Sequence, residues 1–194
     1  MTAKIVPNSI SSPSNDESHA RKLNVLIVDD HPIMREGLAA LINAERDMHL
    51  CGEADNIADA ITAIENLHPD VAIVDVALRG RNGIELVKDI KSRRPHLPVI
   101  VLSMYEATLY GDRAAHAGAS AYLMKQDAAG NVIATIRQVM QGQILLKPSS
   151  SSTPAAPPPL DRLSDRELEV LQLIGLGMGT RQIAQKLHLS IKTI

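Results

Sequence analysis

At 194 residues, 45% apolar and 22% charged, the chain has a globular composition and a length that suits one medium domain plus a smaller one. A net charge of −2 and a pI near 6.4 exclude a uniformly basic nucleic-acid coat, so any nucleic-acid contact is a local patch. With no Trp, no Phe and three Tyr, the stacking of splayed bases that supports single-strand and RNA binding has almost no raw material, which leaves duplex DNA read by a helix.

Residues 1–22 are rich in Ser, Asn and Pro with few large apolar side chains to offset the entropy of ordering, and read as a disordered leader without a secretory apolar core. From Leu23 to about residue 141 strand-like and helix-like blocks alternate: strands at 24–28, 48–53, 71–75, 98–103 and 120–124, helices at 32–44, 57–67, 83–93, 107–117 and 128–141. This is the pattern of a parallel sheet with crossover helices. The first strand is apolar throughout and the third nearly so, as expected of strands covered on both faces. Gly80 and Gly83 bracket a loop after the third strand. Cys51, the single cysteine, lies in the apolar stretch Met48-His-Leu-Cys51 and reads as a core thiol of a reducing compartment. No apolar run approaches the roughly 18 residues of a membrane helix, so the expected location is the cytoplasm.

Residues 142–159 collapse into Ser and Pro, the composition of a semi-extended linker. A small all-α unit over 160–194 follows. Ser164 with Glu167 three residues on predicts a capping box ahead of an apolar helical face at Leu168, Leu171 and Leu173 or Ile174. Gly175, Gly177 and Gly179 end that helix. Thr180 is placed to cap a second over Arg181–Leu187, His188-Leu189 turns, and Ser190 caps a third of which Ile191–Ile194 are present. Two short helices joined by a tight turn, with a third opening on Ser-x-Lys-Thr, form the helix-turn-helix pattern.

The chemistry-bearing residues close the apolar runs. Val25–Val28 stops at Asp29-Asp30, Val71–Val74 at Asp75, Val99–Leu102 at Ser103 and Ala121–Met124 at Lys125. In open α/β sheets the ligand crevice lies outside the carboxyl ends of the strands, so neighbouring parallel strands would bring these side chains to one rim. Magnesium takes hard oxygen ligands, one or two carboxylates with substrate phosphate and water, and three carboxylates on one rim repel one another without a cation. A central aspartate can then act as a nucleophile toward phosphorus, with Ser103 and Lys125 holding phosphoryl oxygens. Each residue also has a plainer role: Asp30 before His31-Pro32 as a helix N-cap, Asp75 as an acceptor for loop amides, Ser103 as a local backbone partner, Lys125 as a solvated charge.

Val28-Asp-Asp-His-Pro32, Asp75 followed by Asn82-Gly83, Val101-Leu-Ser-Met104 and Tyr122-Leu-Met-Lys125 resemble the receiver domains of two-component response regulators. Leu163-Ser-x-Arg-Glu-x-Glu-Val-Leu171, Ile183-Ala-x-x-Leu187 and Ser190-x-Lys-Thr-Ile194 resemble the output domain of the NarL/FixJ/LuxR class. The resemblance spans about 23–194. It implies a flavodoxin-like, doubly wound (βα)5 sheet of strand order 2-1-3-4-5 over 23–141, followed by a LuxR-type helix-turn-helix over 160–194. Asp75 would accept a phosphoryl group from a histidine kinase. Mg2+ would be held by Asp30 directly, by Asp29 largely through water, and by Asp75 and the Ala77 carbonyl. Ser103 would move toward the phosphoryl group and Tyr122 would change rotamer, altering the face of the fourth helix and fifth strand, through which such receivers dimerise or release their output. Apart from phosphorylation and dephosphorylation at Asp75, no enzymatic activity is implied.

The sequence departs from that pattern at Arg79, where the family commonly has proline, and at Gln126 after Lys125; Ala77 and Tyr105 occupy positions that tune dephosphorylation in the family. Ile194 falls one turn into the recognition helix, so the resemblance implies an incomplete output domain. Arg181, Lys192 and Thr193, with Lys186, are the candidates for contact with double-stranded DNA, to phosphate rather than to base edges. Two other readings are a phosphate sink or protein-interaction switch without specific DNA binding, and an aspartate-nucleophile phosphatase. Against the phosphatase, Asp29-Asp30 are adjacent rather than Asp-x-Asp, and the nucleophile candidate is on the third strand.

Overall fold

The structure, a computed structural model, describes residues 21–78, 81–148, 163–187 and 189–194. Residues 1–20 of the expected leader, 149–159 of the expected linker, Arg79 and the His188 half of the expected turn lie outside these. Five parallel strands form the sheet: β1 (Leu23–Val28), β2 (Met48–Ala54), β3 (Val71–Asp75), β6 (Val99–Ser103) and β7 (Ala121–Met124). Their order is β2-β1-β3-β6-β7, the doubly wound 2-1-3-4-5 arrangement of the five sheet strands. The missing numbers belong to a hairpin that the sequence reading treats as loop, β4 (Ala77–Leu78) against β5 (Arg81–Asn82), directly after Asp75.

Alternation along the strands sorts the core into two clusters. Leu26 and Val28, Ala72 and Val74, Val99 and Val101 face α2 (Ile57–Leu67), α3 (Gly83–Arg93) and α4 (Ala107–His116). Val25 and Ile27, Val71 and Ile73, Ile100 and Leu102 face α1 (Pro32–Ala44) and α5 (Lys125–Met140). Burial on both faces is why these runs are apolar without interruption. Cys51 sits in a β-bulge, where the β1 register skips from Leu50 to Gly52, and is half-buried rather than fully buried. Its thiol donates to the Val25 carbonyl at 3.3 Å, and burial pushes the thiol pKa up.

Helix starts explain how the rim is left free. α1 opens with Pro32, whose missing N–H costs nothing in a first turn, and its N-cap position is His31 rather than Asp30. The His31 N–H is taken by Asp29 Oδ1 at 2.8 Å. α3 is capped by Asn82, whose Oδ1 accepts the Ile84 N–H at 2.8 Å. α5 starts at Lys125, three residues earlier than its apolar periodicity suggests, because Met124 at the strand end is itself the N-cap.

In the C-terminal part, α6 (Asp165–Gly175) carries the expected capping box. The Ser164 N–H donates to Glu167 Oε2 at 2.8 Å, and the Glu167 N–H donates to Ser164 Oγ at 3.2 Å. Gly177 takes the left-handed turn after α6, at φ 78°. α7 (Thr180–Lys186) is capped one residue earlier than expected, at Gly179, so Thr180 is its first residue and Gln182 Oε1 accepts the Gly179 N–H. Ile191–Thr193 form a 3-10 turn in place of the expected third α-helix. Leu173, Ile183 and Leu187 make a small separate core. Leu168, in contrast, is buried in the same cluster as Leu78 and Tyr110 of the sheet-bearing part, and α6 rests on β5. Among the described residues no helix is long and apolar enough to cross a membrane.

Candidate functional site

The carboxyl ends of β1, β3 and β7 converge as the spacing predicts. Lys125 Nζ lies 2.7 Å from Asp29 Oδ2 and 2.7 Å from Asp75 Oδ2, so one ammonium bridges two carboxylates on neighbouring strands. Asp29 and Asp75 are essentially inaccessible, at 0% and 1% exposure, while Asp30 is partly open at the mouth. Single ligand atoms of Asp29, Asp30, His31 and Asp75 all fall within 4.8 Å of one another. His31 is the member the sequence reading did not single out. Its Nδ1 is 2.8 Å from Asp30 Oδ1, 3.1 Å from Asp29 Oδ1 and 3.8 Å from Asp75 Oδ2. Its position next to the aspartate pair was the only signal in the sequence that could have found it.

The titration of this cluster follows its packing. Burial raises the Asp75 carboxyl, opposed by His31 and Lys125 and reinforced by the Asp29 charge. For Lys125 burial would lower the ammonium, but Asp75 and Asp29 outweigh it and the pKa is raised. Asp75 raises the His31 imidazole, against burial and Lys125. The donor set of clustered, hard carboxylate oxygens with a mouth at Asp30 fits a divalent cation of the magnesium type.

Ser103 closes β6 next to β3, buried at 1% exposure. Its Oγ accepts the Tyr105 N–H at 3.0 Å, the plainer of its two expected roles, and no hydrogen bond joins it to Asp75 among the described residues. Tyr122 Oη donates to the Tyr105 carbonyl at 2.7 Å, and burial pushes the Tyr122 phenol up to about 12. Tyr105 is thus held at its N–H by Ser103 and at its carbonyl by Tyr122, and its ring stacks on Tyr110 at 5.6 Å. The Ala77 N–H donates to Asp75 Oδ1 at 3.2 Å, a second donor beside Lys125.

A side chain on Gly83 would collide with the Asp75 carbonyl, so the turn carrying the Asp75 backbone closes only over a glycine. The Gly83 N–H, 2.7 Å from the Val76 carbonyl, ties the same turn.

α6 and α7 roof this rim. A cavity of about 280 Å3 is lined by Asp30, His31 and Tyr105 from below and by Arg166, Glu169 and Lys186 from above. Of the DNA candidates, Arg181, Lys192 and Thr193 are exposed, and Thr193 borders a second groove shared with Asn82 and Glu85.

Residues 25–137 match the response regulator receiver domain, and residues 161–194 match the bacterial regulatory proteins of the luxR family. The chain is 33% identical over 180 residues to the DNA-binding transcriptional activator DevR/DosR of Mycobacterium tuberculosis, covering 89% of this chain and 83% of that one. It is 32% identical over 184 residues to the transcriptional regulatory protein YxjL of Bacillus subtilis, covering 89% and 84%. Among solved structures, RcsB of Salmonella enterica bound to a promoter in the presence of a phosphomimetic superposes with a TM-score of 0.61 at 28% identity, over 89% of this chain and 87% of that one. A LuxR-family two-component response regulator from an Aurantimonas species gives a TM-score of 0.62 at 27% identity, over 66% and 91%.

Proposed function

The chain belongs to the response regulators that join a receiver domain to a luxR-family output domain, and is a phosphorylation-controlled transcription regulator; within that role we propose that Asp75 is the phosphoacceptor. The observation that carries this reading is the Lys125 ammonium held 2.7 Å from both Asp29 and Asp75 at one rim of the sheet. In the transfer, an Asp75 oxygen attacks the phosphorus of a phosphohistidine on the kinase. The new O–P bond forms as the P–N bond breaks, and the electron pair leaves with the imidazole nitrogen. Lys125 and the Ala77 N–H are in place to hold oxygens of the transferred group. Ser103 already accepts through a lone pair, so its O–H is available to donate to another. A Ser103 that turns to the phosphoryl group loosens Tyr105, and the Tyr122 hydroxyl that grips the Tyr105 carbonyl follows.

Asp29, Asp30, Asp75 and the Ala77 carbonyl are the proposed Mg2+ ligands. The bound ion would supply charge neutralisation at the phosphoryl oxygens. The further parts of the proposal are domain limits of 23–141 and 160–194, a cytoplasmic location, a histidine kinase as donor and double-stranded DNA as target. Phosphate contacts from Arg181, Lys192 and Thr193, and dimerisation on the α4 and β7 face, complete it. The test is intact mass after incubation with phosphoramidate and Mg2+. One phosphoryl group is expected on the wild type and none on Asp75→Asn; a phosphorylated Asp75→Asn protein overturns the assignment.

A further inference from the structure

The turn that leads from β1 into α1 carries two of the proposed Mg2+ ligands, and its backbone is gripped from outside the rim. Beyond Val28 the Asp29 N–H makes the last bond between β1 and β2, to the Ala54 carbonyl at 3.1 Å. The Asp29 carbonyl has no backbone donor among the described residues. Pro32 brings no N–H to the first turn of α1, and the Met34 and Arg35 amides go to the His31 carbonyl instead. Asp29 is wholly buried, where a carbonyl without a donor is costly.

The donor is a side chain one turn along α1. Arg35 Nη1 donates to the Asp29 carbonyl at 2.6 Å and Arg35 Nε to Glu53 Oε2 at 3.4 Å, so one guanidinium ties the end of β2 to the β1–α1 turn. The Arg35 side chain is 19% exposed, and Glu53, Asp55 and Asp59 line a cavity of about 280 Å3 with it, so its charge is compensated locally. Fixing this carbonyl fixes more than itself. The Asp29 C=O and the Asp30 N–H belong to one planar peptide, so the orientation of the carbonyl sets the direction in which Asp30 leaves the turn. The Asp29 carboxylate has separate anchors in the His31 N–H and Lys125, whereas Asp30 sits partly open at the mouth.

We propose that Arg35 is a positioning residue for the divalent ion: by holding the Asp29 carbonyl it aims the Asp30 carboxylate into the rim, and so sets the affinity for Mg2+. The inference rests on Asp29, Asp30 and Asp75 as the Mg2+ ligands. Arg35 makes no hydrogen bond to any of those carboxylates among the described residues and acts through the backbone. Groups that orient metal ligands are worth roughly ten- to a hundredfold in affinity when removed. Charge alone predicts the opposite sign, because deleting one cation near the site would tighten the binding of another.

The test is calorimetric titration of Mg2+ into the full chain, paired with the rate of phosphorylation by phosphoramidate across Mg2+ concentrations, read by intact mass. Arg35→Met keeps an apolar stem and removes both donors. Its Mg2+ affinity should weaken about tenfold, with the maximal rate at saturating Mg2+ close to that of the wild type. Arg35→Lys offers a single point donor in place of the fork and should fall between the two, about threefold weaker than the wild type. Mg2+ binding by Arg35→Met that is as tight as in the wild type, or tighter, overturns the proposal, as does a lysine variant as weak as the methionine one. Should Arg35→Met not fold, the lysine variant decides, and an affinity equal to the wild type then overturns it. A wild type that binds no Mg2+ would overturn the ligand assignment itself.

Discussion

The two halves hold their charged residues in opposite ways. In the sheet-bearing half, Asp29, Asp75, Ser103 and Lys125 are buried at strand ends, fixed by the ladders of β1, β3, β6 and β7 and sealed between two apolar clusters. In the output half, Arg181, Lys192 and Thr193 stand exposed on short elements whose own core is Leu173, Ile183 and Leu187. A rigid scaffold can afford to bury charge because neighbouring strands supply the compensating group. The output half buries one carboxylate among the described residues, Glu169, and does so on the α6 face turned to the rim, paired with Arg166, rather than in its three-residue core.

The comparison is broken most severely at Lys125. Removing one partner of a buried ionic cluster leaves the others uncompensated, and Lys125→Ala strands Asp29 and Asp75 together. We expect a loss of about 3 kcal/mol or more in urea unfolding of the sheet-bearing half. Mg2+ should recover part of that loss, since binding to the folded state alone stabilises it. Asp75→Asn is the converse case: it removes one of the crowded carboxylates and should leave the unfolding midpoint unchanged or higher. A Lys125→Ala protein as stable as the wild type without divalent ions would mean that the rim does not store repulsion.

A smaller effect sharpens the contrast from the other side. Leu173 is fully buried in the output core, and Leu173→Ala is expected to cost about 3 kcal/mol. In so small a core that loss should unfold α6 and α7 while the five-stranded sheet persists. Calorimetry should then resolve two transitions, with the upper one at the wild-type temperature. A single transition lowered as a whole would show instead that Leu168 couples the halves into one cooperative unit.

The sequence made the sheet-bearing half legible because strand ends set where side chains meet. Four apolar runs closing on Asp, Asp, Ser and Lys were enough to place the rim, while the strand order came with the resemblance to receiver domains. Two-residue strands have no periodicity to read, so the Ala77–Leu78 and Arg81–Asn82 hairpin was hidden within a loop. Asp30 was open to two roles in the sequence, cap of α1 or ligand at the rim. The cap position is His31, whose N–H Asp29 takes, which leaves Asp30 at the mouth of the cluster. Glu169 could not be found from sequence at all. Its helical position is readable, but its place over the rim comes from the burial of Leu168 against residues some ninety positions earlier.

The smallest effect concerns the link between rim and surface. The Tyr122 phenol is raised by burial to about 12, above its ordinary value near 10, so the folded state keeps its proton after the unfolded chain has lost it. For a group raised on folding, the stabilisation is complete below the ordinary value and is lost as pH climbs toward the folded one. The thermal midpoint should therefore fall between pH ~10 and about 12, and ultraviolet titration should show a late phenol that is absent from Tyr122→Phe, beside the Tyr105 phenol that burial also raises. Tyr122→Phe deletes both the late phenol and the hydrogen bond to the Tyr105 carbonyl. It should cost about 1 kcal/mol at neutral pH, flatten the alkaline decline, and leave phosphorylation of Asp75 intact because the phenol's hydrogen bond goes to the Tyr105 carbonyl and none goes to that carboxylate among the described residues. If the alkaline decline were the same in Tyr122→Phe, the buried phenol would not be its source, and the connection from Ser103 through Tyr105 to the α4 and β7 face would lose its chemical handle.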